Sequence, residues 1–251
     1  LGYGATALGA FAFLAGGVGD MAWHQVFGIE ADVEALFSPT HLLLGLGGVM
    51  MAAGPLRAAW LRPGDLAHAS WRRYWPVVLS LAWVFSALTF FVQYAHPLTE
   101  PQAQRNVDYA TQAVGTLGIL VTAALTAGVV LLVVVRWTLP PGMLATILTF
   151  NALVMAGLED RWNLVGAAVA GAVGVELLYR ALRPSRERVT ALRAFAFGLP
   201  LVVYLTYHIG LMVNERLVWS VHLWTGSAVM AGFVGLLLSF LVTGFVVPDD
   251  A

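Results

Sequence analysis

The 251-residue chain contains no cysteine. That excludes disulfides, thiolate metal sites, CxxCH haem attachment and iron–sulfur ligation, and it leaves the redox compartment open. Lysine is missing too: all 13 basic residues are arginine, so no Schiff-base lysine exists for a retinal-like cofactor. Charge is scarce. Charged residues make up 11% of the chain and the formal net charge is −1, whereas a soluble domain of this size carries roughly a quarter charged residues. A balance so near zero offers nothing to nucleic acid. The alternation that a β-barrel strand requires is also lacking.

What remains is hydrocarbon. Hydrophobic residues make up 59% of the chain and the mean hydropathy is +0.80. Several uninterrupted apolar runs reach about 20 residues, the length that crosses a bilayer as a helix. The predicted fold class is all-α: a single transmembrane helical domain, 1–251, of about eight spans, or seven. The spans fall near 3–27, 37–60, 75–96, 107–135, 142–159, 163–182, 192–214 and 218–246. The first lacks the basic flank and small-residue cleavage site of a signal peptide and reads as a spanning helix.

Arginine sets the expected orientation. Ten arginines fall in or beside the turns after the second, fourth and sixth spans, from Arg57 to Arg193. Arg105, Arg161 and Arg216 fall on the other side. Both termini are then cytoplasmic, and the expected location is a bacterial cytoplasmic (inner) membrane with the acidic loops outside. Gly166, Ala170 and Gly174 form a small-residue stripe suited to close helix packing. Glu176 and Arg180 read as an interfacial ion pair.

The polar residues gather on the outer side. His68 lies in a cytoplasmic loop, but His24, His41, His96, His208 and His222 all fall near outer span ends. His96, with Gln93 and Tyr94, reads as an ordinary interfacial residue. The stretch "GDMAWHQVFGIEADVEALFSPTH", Gly19 to His41, is the densest. Asp20 and His24 are i,i+4 and share a helical face. His41 starts the next helix after a loop that must turn back. Two imidazoles and one carboxylate form a first shell for a divalent metal with open positions. A metal cation would also offset the cost of an ionised aspartate within the membrane. Glu30, Asp32 and Glu34 are either supporting groups or solvated loop residues. In "YHIGLMVNERLVWSVH", His208 is followed by Glu215 and His222 at seven and fourteen positions; the two histidines can share an ion only if the chain turns near Asn214–Arg216.

"DMAWH" followed by "FSPTH" resembles the C subunit of the copper membrane monooxygenases, which oxidise methane, ammonia and short alkanes. That family carries Asp-x3-His and then a second His in a Thr-Pro-x-His-like stretch. Its later motif, Asn-x3-His with Glu and His about seven and fourteen on, is paralleled by "YLTYH", Glu215 and His222. The resemblance covers two stretches of about 20 residues. Here the loop between the first two histidines is longer, and Tyr204 stands where the family has Asn. The resemblance implies one ligand set of Asp20, His24 and His41 and a neighbouring set with His208 and His222. Glu34, Tyr204 and Glu215 are the candidate supporting groups around these ligands. It further implies copper (zinc or iron as alternatives), partner membrane subunits and, for an enzyme, dioxygen and a small apolar substrate. The competing expectations are a non-catalytic copper or zinc handling protein and a structural subunit of a membrane complex.

Overall fold

The computed structural model describes residues 3–62, 71–100, 104, 106–214 and 217–243. Among these, every regular element is a helix: α1 Gly4–Phe27, α2 Asp32–Phe37, α3 Pro39–Ala52, α4 Gly54–Trp60, α5 Trp71–Phe90, α6 Tyr109–Arg136, α7 Met143–Leu158, α8 Val165–Leu182, α9 Val189–Asn214 and α10 Val221–Thr243. Helices are what an apolar chain must form in lipid, where each backbone N–H and C=O needs a partner within the chain. Large apolar side chains remain on the outside, among them Phe11, Leu14 and Val18 of α1 and Leu237 and Leu241 of α10. Water would not tolerate so much exposed hydrocarbon, and a bilayer does.

Five helices are long and apolar enough to cross a membrane: α1, α6, α8 with the turn before it, α9 and α10. Counting α3 and α4 as one broken span makes six. The apolar stretch Tyr74–Phe90 within α5, and α7, are shorter. The third predicted segment was expected to run to 96, but α5 stops at Phe90. Pro97 explains why helix cannot reach 96: the residue before a proline is pushed out of the α region, and His96 is extended, with ψ 131°.

Contacts cluster in two units, one made of the described residues up to Phe91 and the other of those from Val92 onward. In the first, α1 and α3 run antiparallel with almost nothing between their backbones. A Cβ added at Gly9 would sit 2.6 Å from Cβ of Met50, and one at Gly47 would sit 2.6 Å from the backbone N of Phe13. Gly16 meets Leu44 in the same way, with its added Cβ 3.0 Å from Cγ. Glycine is what permits this spacing. The axis bends by 49° between α3 and α4, where Pro55 can donate no hydrogen bond. Ser80 of α5 repairs the break: its hydroxyl donates to the carbonyl of Ala52 and accepts from the N–H of Leu56.

In the second unit α9 lies against α8 and α10, and α6 packs on α10. The predicted stripe on α8 is only partly used. Gly166 and Ala170 are exposed, while Gly171 and Gly174 take the close approach, to Thr206 and Val202 of α9. Four-residue steps advance by about 40° each on a helix, so a stripe eight residues long drifts off one line. The Glu176–Arg180 pair forms at 2.8 Å. Glu176 does more than pair. It is buried, and its carboxylate accepts from the backbone N–H groups of Gly142 and Leu144, satisfying the start of α7.

Candidate metal centre

The close packing of α1 on α3 fixes the register of the centre. One turn beyond Gly16 on α1 is Asp20, and one turn before Leu44 on α3 is Thr40, so an antiparallel pair brings these together. The Thr40 hydroxyl donates to Oδ1 of Asp20 at 2.7 Å. His24 follows Asp20 by one turn on the same face. The "SPTH" segment builds the start of α3: Ser38 is the N-cap, accepting from the His41 N–H, and Pro39 opens the helix. Both are the residues a helix start favours, and they put His41 in the first turn, facing Asp20.

Asp20, His24 and His41 meet. Nε2 of His24 lies 3.3 Å from Oδ2 of Asp20, and Nε2 of His41 lies 3.3 Å from Oδ1. One nitrogen from each ring and one carboxylate oxygen all lie within 4.8 Å of one another, and among the described residues this is the only group of three or more such side chains that does so. The two rings are 5.7 Å apart, centre to centre. Each Nδ1 is occupied elsewhere. That of His41 is 2.8 Å from the Ser38 hydroxyl. That of His24 is 3.1 Å from the carbonyl of Gly28 and 3.0 Å from Oε2 of Glu30.

This arrangement needs a positive charge. The Gly28 carbonyl can only accept, which places the hydrogen of a neutral His24 on Nδ1. Its Nε2 lone pair then faces a carboxylate. That contact is repulsive unless a proton or a metal ion stands there, and the donor set fits either. The two imidazoles face different oxygens of Asp20, each at 3.3 Å, and one donor atom from each of the three side chains lies within 4.8 Å of the others, close enough to surround one ion. Imidazole with carboxylate suits Cu(II), zinc and Fe(II). Anchoring each ring through its other nitrogen is the usual support for a ligating histidine. The three side chains are only partly exposed, between 19% and 31%, so the centre is sheltered yet reachable.

Beside it lies a cavity of about 520 Å³ within the same unit. His41 is the one ionisable side chain on its wall; Phe13, Leu44, Trp83, Phe90 and Phe91 supply much of the rest.

None of the other predicted ligands joins this group among the described residues. His208 is fully buried on α9, its Nδ1 donating to the carbonyl of Tyr204 at 2.7 Å. Its ring lies among Tyr207, Trp219 and Trp224, and its Nε2 has no hydrogen-bond partner. His222 is exposed at the start of α10. No group of three ligating side chains forms around either among the described residues. The Tyr204 hydroxyl is joined to Thr122 of α6. His96 is buried, with its Nδ1 accepting from the Leu98 N–H. Glu34 is exposed. Glu215, Arg216 and His68 lie outside the described residues. Thr40 and Ser38 were not singled out from sequence, although a hydroxyl-bearing N-cap three residues before His41 was legible in "SPTH".

No protein-family model matches the chain, and neither a curated protein nor a solved structure matches it.

Proposed function

We propose that this is an integral membrane protein that binds a divalent transition metal, copper, on Asp20, His24 and His41. The observation that carries the reading is the convergence of two Nε2 atoms on one carboxylate, at equal distance, with both Nδ1 atoms anchored behind them. Both rings are held through their outer nitrogens, which is the support a ligating histidine uses. The similarity of "DMAWH" and "FSPTH" to the monooxygenase C subunit favours copper over zinc and iron.

In the proposed arrangement about eight segments cross the membrane, α5 and α7 included. The centre then lies toward the outer face of a bacterial cytoplasmic membrane, as the arginine distribution directs. Thr40 holds the Asp20 carboxylate in place, and Ser38 and Gly28 hold the rings. Three protein donors leave positions for a further ligand. The apolar cavity at His41 favours a second, narrower reading: oxidation of a small apolar molecule that enters from lipid, with dioxygen as co-substrate and electrons from partner subunits or a membrane quinol. Bound copper would supply the redox chemistry; the cavity would exclude water and orient the hydrocarbon.

The test is elemental analysis of the full chain purified in mild detergent, beside Asp20→Ala and His41→Ala. Copper near one per chain, lost in both variants, is expected. A wild-type chain that holds no metal after copper and zinc are supplied refutes the proposal. Oxygen uptake on addition of an apolar substrate and a reductant then separates oxidation from copper handling.

A further inference from the structure

We infer that Glu30 is a supporting residue of this centre: acting through His24, it supplies a second negative charge that makes the site select Cu(II) over Cu(I). The inference rests on the metal-binding reading of Asp20, His24 and His41.

The chain turns sharply to place this side chain. Gly28 ends α1 with φ +87°, a conformation open to glycine and strained for other residues. Two residues later, Glu30 folds back so that Oε2 lies 3.0 Å from Nδ1 of His24. The carboxylate is no solvated loop group. Its side chain is 14% exposed, and both oxygens are shielded from solvent without a well-aligned hydrogen bond. A buried carboxylate with so little compensation is costly, so something must stabilise it. The His24 ring, 3.0 Å away and with its other nitrogen facing the centre, can do so.

The ring is held by its bond to the Gly28 carbonyl, and the Glu30 carboxylate, 3.0 Å from Nδ1, acts on it through charge, strengthening it as a donor to a cation. Here it adds a consequence of charge. Asp20 and Glu30 bring two negative charges to neutral imidazoles. A dication neutralises both, whereas a monocation leaves one carboxylate uncompensated in a partly buried site. The preference for the higher charge therefore depends on Glu30 as well as on the ligand Asp20. Glu34, four residues on and exposed, contributes nothing of this kind and serves as the control.

The experiment compares the full chain in detergent with Glu30→Gln, Glu30→Asp and Glu34→Gln. Cu(II) dissociation constants come from competition with a chelator, Cu(I) constants from competition with a Cu(I)-specific chromophore, and ligand geometry from Cu(II) EPR. Glu30→Gln is expected to weaken Cu(II) about 10- to 100-fold, the usual cost of losing such a partner, with far less change for Cu(I). Each tenfold loss of that preference raises the potential of the one-electron copper couple by about 59 mV. Glu30→Asp should fall between wild type and Glu30→Gln, and Glu34→Gln should match wild type. Should Glu30→Gln fail to fold, wild-type Cu(II) affinity in Glu30→Asp overturns the inference. So does wild-type affinity with an unchanged EPR spectrum in Glu30→Gln, or an equal loss of both oxidation states. In those cases copper loss in Asp20→Ala and His41→Ala would leave the metal site standing. If the wild-type chain binds no copper, the metal-binding reading falls and takes this inference with it.

Discussion

Replacing Gly47 by alanine tests how the centre is positioned. A methyl group there would sit 2.6 Å from the backbone N of Phe13 and 2.7 Å from the carbonyl oxygen of Gly9. These are main-chain atoms of α1, so no side chain can turn aside. To restore ordinary contact at 3.4 Å, α1 and α3 must part by about 0.8 Å. The neighbouring Gly48 is the control, because nothing lies within 4 Å of its added Cβ. Both substitutions gain the same helix preference of alanine over glycine, about 1 kcal/mol, and that gain cancels in the comparison. What remains is the overpacking cost, about 1–3 kcal/mol, or roughly a five- to 150-fold difference in the unfolding equilibrium. Loss of helix on titration with SDS in mixed micelles measures it. His41 lies six residues from Gly47, about 9 Å along α3, so the separation also reaches Asp20 and His41. Copper affinity should therefore fall in Gly47→Ala and hold in Gly48→Ala. Equal stability and equal copper affinity in the two variants would refute the packing argument.

Three further outcomes are expected. Thr40→Val keeps the side-chain shape but removes the hydroxyl that holds Oδ1 of Asp20, and should weaken copper binding about 10- to 100-fold by chelator competition. Glu176→Ala strips the acceptor from the first N–H groups of α7 and should cost about 1–3 kcal/mol on denaturation, with copper content unchanged. His208→Phe keeps an aromatic ring at this buried position while removing both the Nε2 atom that has no partner and the Nδ1 bond to the Tyr204 carbonyl. It should change stability by no more than about 1 kcal/mol and leave the copper content of the chain intact; loss of copper would place His208 in a metal site.

Much of this was written in local sequence. Apolar runs fix the helices because lipid leaves the backbone no other partner. The Asp20/His24 pair was legible because an i,i+4 spacing is a property of one helix. The place of His41 depended on an antiparallel return, and "SPTH" marked where the next helix would start. Contacts between distant elements were harder to see. Glu176 looked complete as the partner of Arg180, since its role at the start of α7, more than 30 residues away, has no local signature. Glu34 was the acidic loop residue expected as a supporting group; it is exposed, and Glu30 is the one that lies against His24. The turn that brings it there starts at Gly28, two residues earlier, in a positive-φ backbone. The four-residue stripe on α8 pointed at the right neighbour type but included Gly166 and Ala170, because helical drift turned them away from α9. The third segment ran past its helix because His96 looked like a span end, while Pro97 holds it in extended backbone.

The most direct test of the central claim is Cu(II) EPR of the copper-loaded full chain, with bound imidazoles counted by electron spin-echo modulation, repeated on His24→Ala and His41→Ala. The account expects two histidine nitrogens with oxygen ligation in the wild type and one in each variant that still holds copper. A wild-type spectrum with no coupled imidazole, or one left unchanged by both substitutions, would contradict it.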